Sequence, residues 1–220
     1  MTENAIDIYW QTQMENTKAT LEKNKFKVWI SADEQEAQKI VLDSILTDLA
    51  PQTLSFGGSL SIKQSGLYDT LMQNYAQKMS IIDTYAPAPS PEQAIELRRQ
   101  SLLVDLFLTG TNAITEHGFL VNLDGMGNRV AGMTFGPKNV LILAGRNKIV
   151  PDLERAISRI KDYAAPINAL RLNRKTPCAK SMQCEDCQSP ERICNYWSII
   201  EKSQPEARIQ IILINKDLGF

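Results

Sequence analysis

Short apolar segments alternate along this chain with longer segments of helical periodicity. The first two apolar segments, 27–30 and 53–56, are separated by apolar side chains that recur on one stripe at the spacing of an α-helix. Strands that alternate with helices pack as a parallel sheet with helices on its faces. The sequence therefore predicts an α/β fold with a mostly parallel, helix-flanked sheet.

Further apolar segments continue this pattern to the end of the chain. They are predicted as strands at 80–85, 106–109, 113–115, 119–123, 140–144 and 209–214. Two helix starts are indicated by capping sequences. In the first, Ser31 and Glu34 are expected to form a capping box, and in the second Ser90 precedes Pro91 and Gln93.

A chain of 220 residues suits one hydrophobic core with a small appendage. We therefore interpret 1–220 as one α/β domain. An amphipathic helix is expected over 1–24, and the cysteine-containing segment 173–198 is expected to be an excursion from the sheet.

The charges of the chain nearly cancel, with 24 Lys and Arg against 25 Asp and Glu. This balance gives no positive field for a phosphate backbone or an anionic lipid surface, so nucleic acid and membrane partners are not expected. The first residues lack the pattern of a signal peptide, and no later stretch has the length of a membrane span. We expect a cytoplasmic protein.

A glycine-rich turn, Gly57-Gly58-Ser59, follows one predicted strand and precedes a helix. Glycines let backbone amides approach a ligand closely, and Ser59 is expected to cap the helix, so the turn resembles an anion site. A tight turn without any ligand is the alternative, since such a turn also needs glycine.

Polar side chains and glycines also cluster in 109–129, at the ends of several predicted strands. Ligands of open parallel sheets bind outside the carboxyl ends of the strands. The predicted anion or substrate site consists of Gly57, Gly58, Ser59, Thr115, Asn122, Asp124, Gly127, Asn128, Arg129 and Lys148.

Three charged residues are the candidates for chemistry at this site. Arg129 is suited to hold a carboxylate or phosphate with two hydrogen bonds, and Asp124 or Glu116 is a candidate base. Because a ligand-binding arginine is not needed for the core, we expect its removal to weaken anion binding with little loss of stability. The alternatives are structural: Asp124 in a turn, Arg129 paired with a nearby acid, and Lys148 as a solvated lysine.

All four cysteines, Cys178, Cys184, Cys187 and Cys194, lie in one short segment. In a reducing compartment such clustering favours metal binding over disulfides. Four thiolates suit either tetrahedral zinc or a four-iron four-sulfur cluster, and the spacing does not choose between them. Redox disulfides and plain reduced thiols are the alternatives.

Several segments together resemble the lactate utilization C/YkgG family, which carries the LUD domain, also called DUF162. They are 55–59 (SFGGS), 108–115 (LTGTNAIT), 121–131 (VNLDGMGNRVA), 135–140 (FGPKNV) and 144–148 (AGRNK). The cysteine segment 176–194 and the closing 216–219 (KDLG) resemble the shorter members of the family. The resemblance spans nearly the whole chain.

The resemblance implies a NagB/RpiA/CoA transferase-like fold, in which small anionic substrates bind at glycine-rich strand ends. It also implies a role near the oxidation of lactate to pyruvate, beside partner subunits that carry iron-sulfur clusters. The chain departs from that fold group in two respects: Glu116 lies in no motif of a coenzyme A transferase nucleophile, and no ribose-phosphate isomerase signature is present.

The leading hypothesis is an accessory or catalytic protein of lactate-type hydroxyacid oxidation that binds a small anionic metabolite. One alternative is a non-enzymatic assembly or electron-transfer module built on the cysteine segment. Another is an isomerase or transferase that acts on a phosphorylated or coenzyme A ester metabolite.

Overall fold

The computed structural model describes residues 5–220. In chain order the first elements are α1 (Ala5–Lys23), β1 (Lys27–Ser31), α2 (Glu34–Lys39), α3 (Leu46–Leu49), β2 (Thr53–Gly57), α4 (Leu60–Gln64), α5 (Leu67–Asn74), β3 (Ser80–Ile82), α6 (Pro91–Gln100), β4 (Leu106–Thr109) and β5 (Ala113–Thr115). They are followed by β6 (Leu120–Asp124), α7 (Asn128–Thr134), β7 (Asn139–Gly145), β8 (Ile149–Val150), α8 (Leu153–Arg159), α9 (Ala165–Arg171), α10 (Cys178–Ser181), β9 (Tyr196–Ile200) and β10 (Ile209–Ile214).

Two π-helical segments each join two short α-helices into one continuous helix. Ile40–Ile45 joins α2 to α3, and Ile160–Ala164 joins α8 to α9. The second continuous helix therefore extends from Leu153 to Arg171. None of the helices within residues 5–220 combines the length and the apolar character that a membrane crossing requires.

The central sheet has six strands in the order β1-β10-β7-β4-β2-β3, and every pair in it is parallel. The predicted α/β fold with a mostly parallel, helix-flanked sheet is confirmed. A second sheet has the order β8-β5-β6-β9, in which β5 and β6 form an antiparallel hairpin. The sequence predicted the strands of this hairpin but neither the second sheet nor its edge strands β8 and β9.

Side chains of the central strands alternate between two hydrophobic layers. In β7, Val140 and Ile142 point into one cluster, while Leu141 and Leu143 point into the other. Both faces are thus covered, which explains why these strands are continuous apolar runs. The segment 173–198, predicted as an excursion, contributes its last residues to β9, which pairs antiparallel with β6.

Of the three helix caps predicted from the sequence, the structure contains one as predicted and differs at the other two. Ser90 caps α6 and accepts a hydrogen bond from the backbone amide of Gln93, as predicted. The capping box of Ser31 and Glu34 is wrong, because Asp33 is the N-cap residue and accepts from the backbone amide of Glu36. Ser59 stands at the N-cap position of α4, but its side chain makes no capping hydrogen bond.

Helix α7 packs closely on the central sheet through two glycines and one aromatic ring. The fully buried ring of Phe107 in β4 lies against the backbone of Gly57 in β2 and of Gly132 in α7. A β-carbon at either glycine would overlap the ring. Gly57 therefore serves close packing, which gives a steric reason for this glycine that is independent of any ligand.

We expect Gly57→Ala to destabilise the protein by about 1–3 kcal/mol, because the added methyl group overpacks the core against Phe107. Gly58→Ala is the matched control, since no atom lies within 4 Å of a β-carbon built there. Its effect is expected to stay within about 0.5 kcal/mol. Urea denaturation of both variants measures the difference, and equal midpoints would contradict the packing role.

Candidate functional site

A cleft of about 300 Å³ opens at the carboxyl ends of the central strands, where the second sheet adjoins them. Each neighbouring strand end supplies part of its wall. Gly58 and Ser59 follow β2, residues 110–112 follow β4, and Lys148 follows β7. The connection between β6 and α7 supplies Asp124, Gly125, Met126, Asn128 and Arg129. This is the edge at which open parallel sheets bind their ligands.

The cleft brings together six of the predicted site residues: Gly58, Ser59, Asp124, Asn128, Arg129 and Lys148. Gly57 and Asn122 are buried and do not line it.

Three other predicted residues lie elsewhere. Gly127 faces the ring of Tyr196, and Thr115 and Glu116 lie at the β5–β6 hairpin turn. A role for Glu116 as base in this cleft therefore has no geometric support.

Arg129 uses its guanidinium group to join three parts of the protein. Its η1 nitrogen donates to Oδ1 of Asn122 at 2.6 Å and to the carbonyl oxygen of Gly110 at 3.2 Å. Its η2 nitrogen donates to Oδ1 of Asn112 at 2.8 Å and to the carbonyl oxygen of Leu123 at 3.0 Å. The guanidinium thus connects α7, on which it lies, with the loop after β4 and with β6.

This arrangement changes what Arg129 is able to do for a ligand. A guanidinium has five N–H donors, and the four on its terminal nitrogens already bind protein oxygens. A bidentate grip on a carboxylate would break two of these bonds. Arg129 contributes positive charge to the cleft and holds the surrounding loops, so the geometry favours a loss of stability when it is removed, contrary to the expectation from the sequence.

Asp124 is also occupied by the protein backbone. Its Oδ2 accepts hydrogen bonds from the amides of Arg129 and Val130, and its Oδ1 accepts one from the amide of Gly125. A carboxylate that receives backbone amides at the start of a helix stabilises that helix end. The geometry therefore favours a structural role for Asp124 over a role as base.

Ser59 is fixed by Tyr85, a residue that the sequence motifs did not indicate. The Tyr85 hydroxyl donates to the carbonyl oxygen of Ser59 at 2.8 Å and accepts from its amide at 2.7 Å. Burial raises the pKa of Tyr85 to about 12, so the hydroxyl keeps its proton. The glycine-rich turn thus has one defined conformation at the cleft wall.

Lys148 is the most unusual group in the cleft. The residue is only 4% exposed, and its Nζ donates a hydrogen bond to Oγ of Ser61 at 2.9 Å. Among the described residues no carboxylate pairs with it. Burial, together with the smaller effect of the positive charges of Arg159 and Arg129, lowers the pKa of Lys148 to about 7.

The last residues of the chain cover Lys148. Asn147 accepts a hydrogen bond from the amide of Leu218, and Ser61 donates to the Leu218 carbonyl at 3.4 Å. Gly219 has a φ of +64°, and a β-carbon on it would lie 2.8 Å from Oγ of Ser61 and 3.2 Å from Nζ of Lys148. Glycine is required there because the chain passes directly over the amine.

Three arginines that the sequence motifs did not indicate also line the cleft. They are Arg98 near the end of α6, Arg171 at the end of α9, and Arg174 beyond α9. Basic residues in the last turn of a helix are ordinary partners of the helix dipole, so their sequence position carries no specific signal. With Arg129 and Lys148 the cleft has five basic side chains, and Asp124 is the acidic side chain among its lining residues.

The four cysteines do not form a metal centre in this structure. Within residues 5–220, no three Cys, His, Asp or Glu side chains are grouped so that they could hold a metal ion. Cys194 packs against the cluster that contains Val121 and Ile160, and Arg192 donates to the carbonyl oxygens of Cys187 and Cys194. As arranged, the segment does not fit a single metal, and the metal site stays a prediction.

Metal analysis of anaerobically prepared protein tests that prediction. Iron with sulfide and a brown colour would indicate the cluster, and one zinc per chain would indicate a structural site. Protein that contains neither metal and whose stability is unchanged by Cys187→Ser would contradict it.

We expect Arg129→Met to lower the free energy of unfolding by about 2–4 kcal/mol, because it leaves buried oxygen atoms without their charged donor. Arg174→Met is the matched control, since Arg174 is exposed and its side chain has no hydrogen-bond partner among the described residues. Denaturant titrations compare the two variants. An Arg129→Met protein as stable as the control would show that the network is dispensable.

Together, the fold and the cleft define an α/β protein with a small electropositive cavity at the carboxyl edge of a parallel sheet. The family model of the LUD domain matches residues 14–214, and the chain belongs to the LUD domain family. The resemblance to the lactate utilization family is thereby confirmed at the level of the family.

Solved structures with a similar fold include a DUF162 family protein from Deinococcus radiodurans. It is 13% identical, with a TM-score of 0.50, and the match covers 93% of this chain and 98% of that one. At this identity the likeness shows the fold alone. No curated protein matches the chain.

Two ribose-5-phosphate isomerases are also similar over part of the chain. One, in complex with phospho-erythronic acid, has 16% identity and a TM-score of 0.33, covering 54% of this chain and 56% of its own. The other, from Plasmodium falciparum, has 16% identity and a TM-score of 0.31, covering 59% and 66%.

Proposed function

We propose that this chain binds a small carboxylate, such as lactate or a related hydroxyacid or oxoacid, in the electropositive cleft. In this proposal it serves the oxidation of lactate-type hydroxyacids as an accessory or catalytic protein, beside partner subunits that carry iron-sulfur clusters. Membership of the LUD domain family supports the metabolic context. The charge of the cleft supports the ligand class.

The observation that carries the proposal is the imbalance of charge in a small, half-enclosed space. Five basic side chains line the cleft against the carboxylate of Asp124, which backbone amides already occupy. Cations that converge on a low-dielectric cavity without acidic partners favour an anion strongly. The net charge of the whole chain is −1, so this positive region is a local feature.

The available donors fit a carboxylate. Arg171 binds Oδ1 of Asn168 through Nε and one terminal nitrogen, which leaves its other terminal nitrogen to a ligand. Arg174 has no side-chain partner among the described residues. Lys148 donates one hydrogen bond to Ser61, and its other N–H groups remain available to a ligand. These three side chains, and not Arg129, are the proposed ligand contacts.

The size of the cleft favours a small metabolite. A volume of about 300 Å³ lies at the lower end of the range for ligand pockets, about 300–1,000 Å³. A phosphorylated small metabolite satisfies the same charges and is the alternative ligand. The coenzyme A ester of the transferase hypothesis would extend well beyond this volume.

Titration calorimetry and thermal denaturation at low salt with lactate, pyruvate and phosphate test the proposal. At a hundredfold excess over Kd, a ligand of the folded state adds about 2.7 kcal/mol of stability. We expect Arg171→Ala and Arg174→Ala each to weaken carboxylate binding about tenfold, or about 1.4 kcal/mol. Arg155→Ala, an exposed position outside the cleft, removes the same charge as the control.

The pH dependence of binding provides a second measurement within the same experiment. Affinity for the anion is expected to fall as the pH rises through about 7, because Lys148 then loses its proton. Lys148→Met should remove this dependence. If none of the three anions binds, or if Arg155→Ala weakens binding as much as Arg171→Ala does, the anion site is wrong.

A further inference from the structure

We propose that Lys148 is a covalent catalytic residue, whose amine forms an imine with the carbonyl carbon of a short 2-oxo acid held in the cleft. The inference rests on the proposed function, because it takes the carboxylate site as given and assigns the chemistry of the group beside the carboxylate.

The first argument is the placement of the amine. Lys148 is buried at the wall of the cleft, its side chain is held by Oγ of Ser61, and the Gly219 backbone passes over it. An amine fixed in this way has lost the freedom of an exposed lysine and faces whatever the cleft contains. Among the described residues that line the cleft there is no cysteine and no histidine, so Lys148 is its strongest nucleophile.

The second argument is the charge state. Lysine reacts with carbonyl compounds only as the neutral amine, and proteins obtain that form by desolvation or by neighbouring cations. Lys148 has both, since it is buried with no carboxylate partner within residues 5–220 and lies near Arg129 and Arg159. A pKa of about 7 makes a large fraction of the amine neutral at physiological pH.

The third argument identifies the substrate class. The arginines at the mouth of the cleft, Arg171 and Arg174, suit a carboxylate, while the amine suits a carbonyl carbon. A cavity of about 300 Å³ requires the two groups to be close together in one small molecule. A 2-oxo acid has its carbonyl carbon bonded directly to its carboxylate and is the shortest compound that meets both requirements.

The step is a condensation and needs no oxidant or reductant. The lone pair of Nζ forms a bond to the carbonyl carbon, the carbon–oxygen π pair moves to oxygen, and a proton passes from nitrogen to that oxygen. The resulting carbinolamine then loses its hydroxyl group, which takes up a proton and leaves as water, and the nitrogen lone pair forms the carbon–nitrogen double bond. The positively charged iminium group withdraws electrons from the adjacent carbon and activates it for proton loss.

Reductive trapping on the full chain tests this inference. The protein is incubated with pyruvate and sodium cyanoborohydride, and intact mass and peptide mapping locate the product. We expect one carboxyethyl group per chain, on Lys148. Lactate has no carbonyl group and should give no adduct under the same conditions. Lys138→Met serves as a matched control, since Lys138 is an exposed lysine paired with Asp105 away from the cleft, and it should leave trapping unchanged.

Lys148→Met should abolish the adduct, and Arg171→Ala should reduce the trapping rate about tenfold at limiting pyruvate. Peptide mapping locates the adduct on the chain without substitutions. The test therefore does not depend on whether the Lys148→Met protein folds. If calorimetry shows that pyruvate binds while mapping finds Lys148 unlabelled, or finds exposed lysines labelled to the same extent, the imine is overturned. Either result leaves the proposal of anion binding standing. Absence of any carboxylate or phosphate binding overturns the proposed function itself.

Discussion

The guanidinium of Arg129 is the interaction on which the architecture of the cleft depends. The central sheet and the second sheet meet where β4 leads into the β5–β6 hairpin. The guanidinium binds the carbonyl oxygens of Gly110 and Leu123 at this junction, together with Oδ1 of Asn112. Oδ1 of Asn122, inside the protein, receives hydrogen bonds from Thr111, Asn112 and Arg129. Within residues 5–220 the amide nitrogen of Asn122 has no hydrogen-bond partner, so its Oδ1 is the atom that ties the junction together. A buried oxygen with three donors favours one arrangement of the segments that supply them.

The basic residues therefore divide into two groups with different tasks. Arg129 and Arg159 donate mainly to protein oxygens, and Arg159 joins the carbonyl oxygens of Asn147 and Asn112. Their charge still reaches the cavity, where little solvent screens it. Arg171 and Arg174 are exposed and keep donors for a ligand. The half-buried group thus contributes to the potential of the cleft, and the exposed group supplies contacts to a ligand. Replacing a member of each group should therefore affect stability and binding differently.

The sequence predicted the features that depend on local pattern and missed those that depend on tertiary placement. The parallel sheet could be predicted because strands covered on both faces are continuous apolar runs, as in β7 and β10. Arg129 was predicted to hold a ligand, but the motif could not show that Asn112 and Asn122 occupy its donors. Arg171 was missed because its position depends on the π-helical segment that continues α8 into α9. Strand β9 was missed because its first residues, Tyr196 and Trp197, lie within 173–198, which was interpreted as an excursion from the sheet.

Lys148 shows most clearly how tertiary structure creates chemistry that the sequence conceals. In the sequence it follows a glycine, an arginine and an asparagine, a context that is equally typical of a solvated turn. Its burial results from the return of 215–220 over the end of β7, which Asn147 and Ser61 fix by binding the backbone of Leu218. A buried ammonium without a carboxylate partner lowers the stability of the folded state, and the loss of its proton relieves only part of that cost. Because an apolar side chain of similar volume would avoid the cost, the amine is better explained by what enters the cleft than by the packing of the fold.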